Sequence, residues 1–433
     1  MILRRYIYFI IFFFGISNAW SQGSLLKISL EVNDEDGILY EQNTVQAFLT
    51  IVNSSERNID FVTKWIILTD DWKPLKVFTL SHTINPSQIL QTYCPLFRYP
   101  GPGFYRIKAI VTSPSFHDSV YEQVIGIDPE KINEPLDKKE DFDSFWNKTL
   151  DELSKVDLEY KISPIKREGK TKTNLFRVEM KSYQGTTVRG WLEVPKKKGI
   201  YPALLRVPGY QENMEPIDVA DDMIVFSFNT RDHGESDDSE GGRNWDMWVR
   251  GLDSKEHYYY KGLFMDCIRA LDYLSAREDV DTNRIAIWGG SQGGGLSFST
   301  AALDNRVALC IADIPYMCEY PNYFEITHWK EIDNWFEKHP NATWETVLNT
   351  LSYYDTKNFA DRIKCPVWMG VGLQDDICPP STSFVTYNNV QTDKNYVVYK
   401  NERHWQPVEH YEHRFEQLRQ FFKMKDETSN LEQ

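Results

Sequence analysis

No two cysteines in this sequence are spaced to share a metal or to run thiol–disulfide exchange. Cys94, Cys267, Cys310, Cys318, Cys365 and Cys378 stand apart with no Cys-x-x-Cys motif, which argues against a zinc ribbon, a thioredoxin-type centre and a disulfide-stapled small scaffold. A chain of 433 residues can build its core without staples, so the thiols read as packing residues. One disulfide, joining Cys310 or Cys318 to Cys365 or Cys378, stays open in an oxidising compartment. Positive charge is also scarce: 48 Lys and Arg face 63 Asp and Glu, for a net charge of −15. Nucleic acid and anionic membrane surfaces would be repelled, so a neutral or weakly charged substrate fits better. The sequence also lacks an apolar run long enough to span a bilayer, an internal repeat and a low-complexity tract.

What apolar run there is lies at the start. Arg4 and Arg5 precede Tyr6 to Ile16, and Ala19-Trp20-Ser21 offers small residues where a signal peptidase reads. Residues 1–21 are therefore expected to be a signal peptide of a secreted or periplasmic protein, with Gln22 first in the mature chain. No Cys follows to carry a lipid anchor. Loss of Arg4 and Arg5 takes the net charge from −15 to −17.

Residues 24–127 alternate with period two. Ile28, Leu30 and Val32 form one apolar face, Val45, Ala47, Leu49 and Ile51 a second, and Tyr105, Ile107, Ala109 and Val111 a third beyond the breaker Pro100-Gly101-Pro102-Gly103. Short strands separated by turn signals predict a β-sandwich of immunoglobulin-like architecture. Residues 128–140, with Pro129 and Pro135, read as a linker. From 141 to 425 strands and helices alternate, the pattern of a mostly parallel sheet covered on both faces. Its first helix carries Phe142, Phe145, Trp146, Leu150 and Leu153 on one side, with Asp141 placed to cap it. A second runs from about Tyr260 to Arg277.

The strand Arg284 to Trp288 enters Gly289-Gly290-Ser291-Gln292-Gly293-Gly294 and then a small-residue helix start. Strand, G-x-S-x-G and helix in that order make a nucleophile elbow, with Ser291 at its tip. A hydroxyl needs a base to take its proton, and the base needs an orienting acid. In a hydrolase sheet the order is Ser, then acid, then His. Asp375 and Asp376 both follow the strand Val367 to Val371, where ligands bind at a sheet's carboxyl edge. His404 follows the strand Tyr396 to Tyr399. His410 and His413 fall on the final helix and are expected at its surface, while His233, His257 and His328 precede the acid or lie in excursions from the sheet.

Asp141-Phe-Asp-Ser-Phe-Trp146, Arg189-Gly-Trp-Leu192, Arg284 through Gly294, Leu351-Ser-Tyr-Tyr-Asp355, Ile363-Lys-Cys-Pro-Val367 and Gly372 through Thr382 together resemble the acetyl xylan esterase and cephalosporin-C deacetylase family, carbohydrate esterase family 7-like α/β-hydrolases. The resemblance spans about residues 133–425. It implies an α/β-hydrolase with a doubly wound, mostly parallel sheet and a helical excursion, here preceded by the all-β sandwich. It also implies a serine carboxylic ester hydrolase that removes acetyl groups from sugars or xylan with no cofactor and no metal. Ser291 would be nucleophile, Asp375 rather than Asp376 the acid, His404 the base, and the backbone N–H groups of Tyr210 and Gln292 the oxyanion hole. A homo-oligomer is implied too, unless the added N-terminal region blocks its contacts. Three positions depart from the family pattern. Pro208 stands where His precedes Gly-Tyr, Arg231-Asp232-His233 replaces Arg-Gly-Gln, and Trp405 rather than Glu follows His404. Within the excursion Tyr316 to Thr356, the aromatics Tyr316, Tyr320, Tyr323, Phe324, Trp329, Trp335 and Phe336 are expected to be mostly core or subunit contacts, with the rest sugar-stacking surfaces.

Two other readings compete. A prolyl-oligopeptidase-like peptidase shares the elbow and the triad order, but its usual partner domain is a large propeller. A glycan-binding protein with a degenerate hydrolase domain would not need Ser, Asp and His together.

Overall fold

The computed structural model describes residues 25–40, 46–238 and 246–424; the expected signal peptide lies outside them. The alternating N-terminal segment folds into two sheets. Strands β1 (Leu26–Val32), β3 (Ala47–Asn53) and β6 (Ile89–Tyr93) make one, in the order β1-β3-β6. The other is built from β2 (Ile38–Leu39), β4 (Ile59–Thr69), β5 (Pro74–Ile84), β7 (Gly103–Ser113) and β8 (Phe116–Ile127), in the order β2-β8-β7-β4-β5. Period two explains the packing: Ile59, Phe61, Thr63, Trp65 and Ile67 on β4 are all buried while their neighbours are not. They share a core with Leu49 and Ile51 of β3 and Ile107 and Val111 of β7. The segment is an all-β region, as the alternation predicts.

The expected linker is strapped down along its length. Asn388 donates to the Pro129 and Ile132 carbonyls, each at 2.9 Å, the Asp137 N–H reaches Asn358 at 3.0 Å, and Lys138 pairs with Asp361 at 2.6 Å.

Beyond it, nine strands form one sheet: β9 (Tyr160–Ile165), β10 (Thr173–Lys181), β11 (Thr187–Pro195), β12 (Tyr201–Arg206), β13 (Ile224–Asn229), β14 (Val280–Gly290), β15 (Val307–Asp313), β16 (Val367–Gly372) and β17 (Lys394–Tyr399). Their order is β17-β16-β15-β14-β12-β13-β11-β10-β9, parallel from β17 to β13 and antiparallel beyond. Ile285, Ala286 and Ile287 of β14 are fully buried on both faces, as a central parallel strand requires. The helices are α1 (Phe142–Ser154), α2 (Tyr259–Ser275), α3 (Gln292–Leu303), α4 (Tyr320–Ile326), α5 (Lys330–Lys338), α6 (Trp344–Leu351), α7 (Pro380–Asn389) and α8 (Val408–Phe421). This is the α/β-hydrolase architecture. Among the described residues no helix is long and apolar enough to cross a membrane.

Two expectations are corrected and one open question is answered. Asp141 precedes α1 but does not cap it with its side chain; at φ −96° and ψ 9° it lacks the extended backbone that turns a capping oxygen onto the first N–H groups. Its carboxylate instead binds Lys255 and the Tyr353 hydroxyl. His410 is not at the surface: it shares with Arg414 and Leu418 the face of α8 that packs on the sheet, and all three are buried. All six cysteines are buried and free, so the disulfide left open does not form.

Where the excursion begins, burial and the nearby charge of Asp355 push the Glu319 carboxyl up to about 8, against the pull of Lys357. The folded chain thus keeps a proton that the unfolded chain releases from about pH 4.5 upward, so this group's contribution falls as pH rises toward 8. Glu319→Gln is expected to flatten the decline of melting temperature between about pH 5 and 8. A melting temperature measured across that range checks it; an unchanged slope would remove Glu319 from the account.

Candidate active site

The carboxyl ends of the parallel strands bring the site together. Ser291 joins β14 to α3 at φ 57° and ψ −120°, a sparsely populated conformation that pushes its side chain out of the turn. Gly293 is needed because a Cβ there would stand 2.6 Å from the Val207 carbonyl oxygen. The Ser291 N–H donates to the Asp313 carbonyl at 2.9 Å, and the Ser291 carbonyl accepts from Gly294 at 2.9 Å and Tyr316 at 2.9 Å.

His404, after β17, places Nε2 2.9 Å from Ser291 Oγ and Nδ1 2.8 Å from Asp375 Oδ2. A carboxylate only accepts, so Nδ1 carries the proton and Nε2 of the neutral ring accepts from the hydroxyl. The other Asp375 oxygen accepts from the backbone N–H groups of Ile377 at 2.9 Å and Cys378 at 2.8 Å, which fixes the buried carboxylate. Burial disfavours the His404 imidazolium, but the charge and hydrogen bond of Asp375 outweigh it and hold its pKa above the usual value. Of the two adjacent acids Asp375 meets the ring, whereas Asp376 is exposed and pairs with Arg403.

Tyr210 and Gln292 both lie beside Ser291. Tyr210 sits in the turn after β12 and lines a cavity with Ser291, Trp248, Tyr316, Trp329, Ile377 and Cys378. Within it the centre of a water-sized sphere can move through about 20 Å³, room for one small group. Gln292 begins α3, where a helix's first N–H groups have no partner inside the helix. Of the excursion aromatics, Tyr316 and Trp329 line the cavity. Tyr320, Tyr323 and Trp335 are buried in the core, with Phe324 and Phe336 packed against it. Tyr323 ties the cavity walls together, donating to the Ile377 carbonyl at 3.0 Å and accepting from Trp329 Nε1 at 2.5 Å.

His233 supports the same loop from below. Its Nδ1 lies 2.9 Å from the Arg231 carbonyl, which can only accept, so Nε2 is left to accept from the Gln292 side-chain amide at 3.1 Å. That amide also faces the carbonyls of Pro208 and Gly209 at 3.4 Å each, and its oxygen accepts from Tyr260 at 2.8 Å. Burial lowers the His233 pKa, consistent with the neutral ring this chain of bonds needs. Sequence reasoning passed over His233, although Arg231-Asp232-His233 was itself a departure worth following. Nothing in the sequence marked Trp248 as a cavity residue. The remaining departures stay near the site: Asp232 pairs with Arg250 at 2.7 Å, and Trp405 beside His404 is half exposed. Among the described residues no group of His, Cys, Asp and Glu is placed to hold a metal ion.

The model of the acetyl xylan esterase family matches residues 131–424. The chain belongs to that family. It is 31% identical over 327 residues to the acetyl esterase Axe7A of Xylanibacter ruminicola, covering 70% of this chain and 71% of that protein. Among solved structures it is similar to the acetyl xylan esterase of Paenibacillus sp. R4, with a TM-score of 0.63 and 30% identity over 67% of this chain and 98% of the other. Acetyl xylan esterase 1 of Thermoanaerobacterium sp. gives a TM-score of 0.62 and 29% identity over 68% and 98%. The esterase described here is thus a serine carboxylic ester hydrolase of the carbohydrate esterase type. Its N-terminal region is a pair of sheets rather than the propeller that the peptidase alternative calls for.

Proposed function

We propose that this esterase removes acetyl groups from acetylated sugars or xylan outside the cytoplasm, using Ser291, His404 and Asp375. The observation that carries the reading is the unbroken Ser291–His404–Asp375 contact opening onto a cavity with room for one small group. Ser291 Oγ attacks the acetyl carbonyl as its proton passes to His404 Nε2, and the N–H groups of Tyr210 and Gln292 receive the oxyanion. The tetrahedral intermediate collapses as His404 returns the proton to the leaving sugar hydroxyl, leaving acetate esterified to Ser291. Water, deprotonated by His404, then releases acetate. Asp375 holds the ring in the required tautomer and stabilises its cation. The signal-peptide pattern at residues 1–21 supports export.

Trp248, Tyr316, Trp329 and Ile377 line the cavity beside Ser291, so a longer acyl chain would crowd their side chains. Aryl acetate is therefore expected to exceed aryl butyrate in kcat/KM by about tenfold or more, and acetylated xylan to release acetate. An aminoacyl arylamide turned over faster than the acetate would transfer the site to the peptidase reading, and no difference between acetate and butyrate would remove the acetyl assignment.

A further inference from the structure

The family match begins at residue 131, yet the β region ahead of it grips the loops that carry two members of the triad. Gln374, immediately before Asp375, accepts from the Val124 N–H of β8 at 2.8 Å and donates to the Val124 carbonyl at 3.1 Å, as an added strand residue would. Its amide also reaches the Lys400 carbonyl, at the start of the loop to His404, at 2.8 Å. Lys400 in turn donates to the Val32 carbonyl at 3.0 Å and to that of Asp34. Gly37, at φ 76°, lets the turn after β1 settle on Leu373, where a Cβ would meet Leu373 Cδ2 at 2.5 Å. Beyond Asp375, Ser381 donates to the buried Asp70 of the β4–β5 hairpin. From that same hairpin, Trp72 donates to the Ile326 carbonyl at 3.0 Å, three residues before the cavity wall Trp329.

We propose that the N-terminal β region is a working part of the active site, with Gln374 the positioning residue through which it sets Asp375 against His404. This rests on the Ser291–His404–Asp375 reading above. A domain serving only as a spacer or tether would have no need to bond the residue next to the acid, the first residue of the base loop and the far end of the acid loop. Those contacts over-determine the acid loop from both ends, and a triad loses rate steeply when its members shift by an ångström.

The test is Gln374→Ala in the full chain, assayed on an aryl acetate and normalised to sites titrated with a fluorophosphonate. We expect kcat per titrated site to fall about tenfold while KM stays within about twofold. The acid limb of kcat/KM should move to lower pH, because His404 loses part of the Asp375 charge that raises its pKa. Ser381→Ala, which releases the loop from Asp70, should move kcat and the acid limb the same way by a smaller factor, and it keeps the question open to test if the first variant folds poorly. An unchanged kcat per titrated site and an unchanged acid limb would overturn the proposal, including where total activity falls through a smaller folded fraction. Failure of the triad reading looks different: the unaltered esterase would not label, and Ser291→Ala would keep its activity.

Discussion

Ser291→Ala is expected to lower kcat on an aryl acetate by at least about 10³-fold and to abolish labelling by a fluorophosphonate, with the melting temperature unmoved. The rate falls because the hydroxyl that stands 2.9 Å from His404 Nε2, at the head of the Asp375 contact, is lost. Residual turnover would come from oxyanion donors and substrate binding alone. The fold survives because the elbow is held by backbone groups that an Ala keeps: the N–H to Asp313, and the carbonyl to Gly294, Gly295 and Tyr316. Near-normal turnover would sink the mechanism, and a large drop in melting temperature would mean the hydroxyl does more than react.

Asp313→Ala is expected to cost about 3–5 kcal/mol of stability, read as a fall in the denaturant midpoint and melting temperature. Asp313 ends β15 in full burial, with Oδ2 at 2.7 Å from both His410 Nε2 and Trp288 Nε1 and Oδ1 at 3.4 Å from Arg414. Burial alone would raise its pKa, but the charge of Arg414 and the bonds from His410 and Trp288 hold it below the usual carboxylate value. A depressed acid contributes stability above its unfolded pKa and loses it on acidification, so the gap between variant and parent should narrow at low pH. Removing the carboxylate takes a buried partner from a guanidinium, an imidazole and an indole N–H together. A loss below about 1 kcal/mol would show that these partners satisfy themselves elsewhere.

Much of the catalytic half was legible because its signals are local. β14 is an apolar run ending in glycines, so both the strand and the elbow could be placed. Asp375 and His404 each follow a readable strand by a few residues. The β region was legible in kind but not in full: alternation at Ala47, Leu49 and Ile51 is plain, whereas β5 lies largely open to solvent and carries little contrast between faces, as does β9 at the edge of the hydrolase sheet. His410 was misread, and the part His233 plays was missed, for one reason. A histidine's burial depends on which partner meets it, and Asp313 and Gln292 lie 97 and 59 residues away in the chain. Asp141 shows the same limit, since a capping residue type took the non-capping geometry that Lys255 and Tyr353, 114 and 212 residues away, reward.

The sequence by itself determined the hydrolase architecture, the elbow at Ser291 and the order of acid and base, because strand periodicity and turn chemistry act over a few neighbouring residues. Tertiary structure decided how Asp375 meets the imidazole, which aromatics wall the cavity, and that Gln374 is bonded to β8. Those outcomes depend on directions and gaps between segments from 29 to 250 residues apart, which no local pattern encodes.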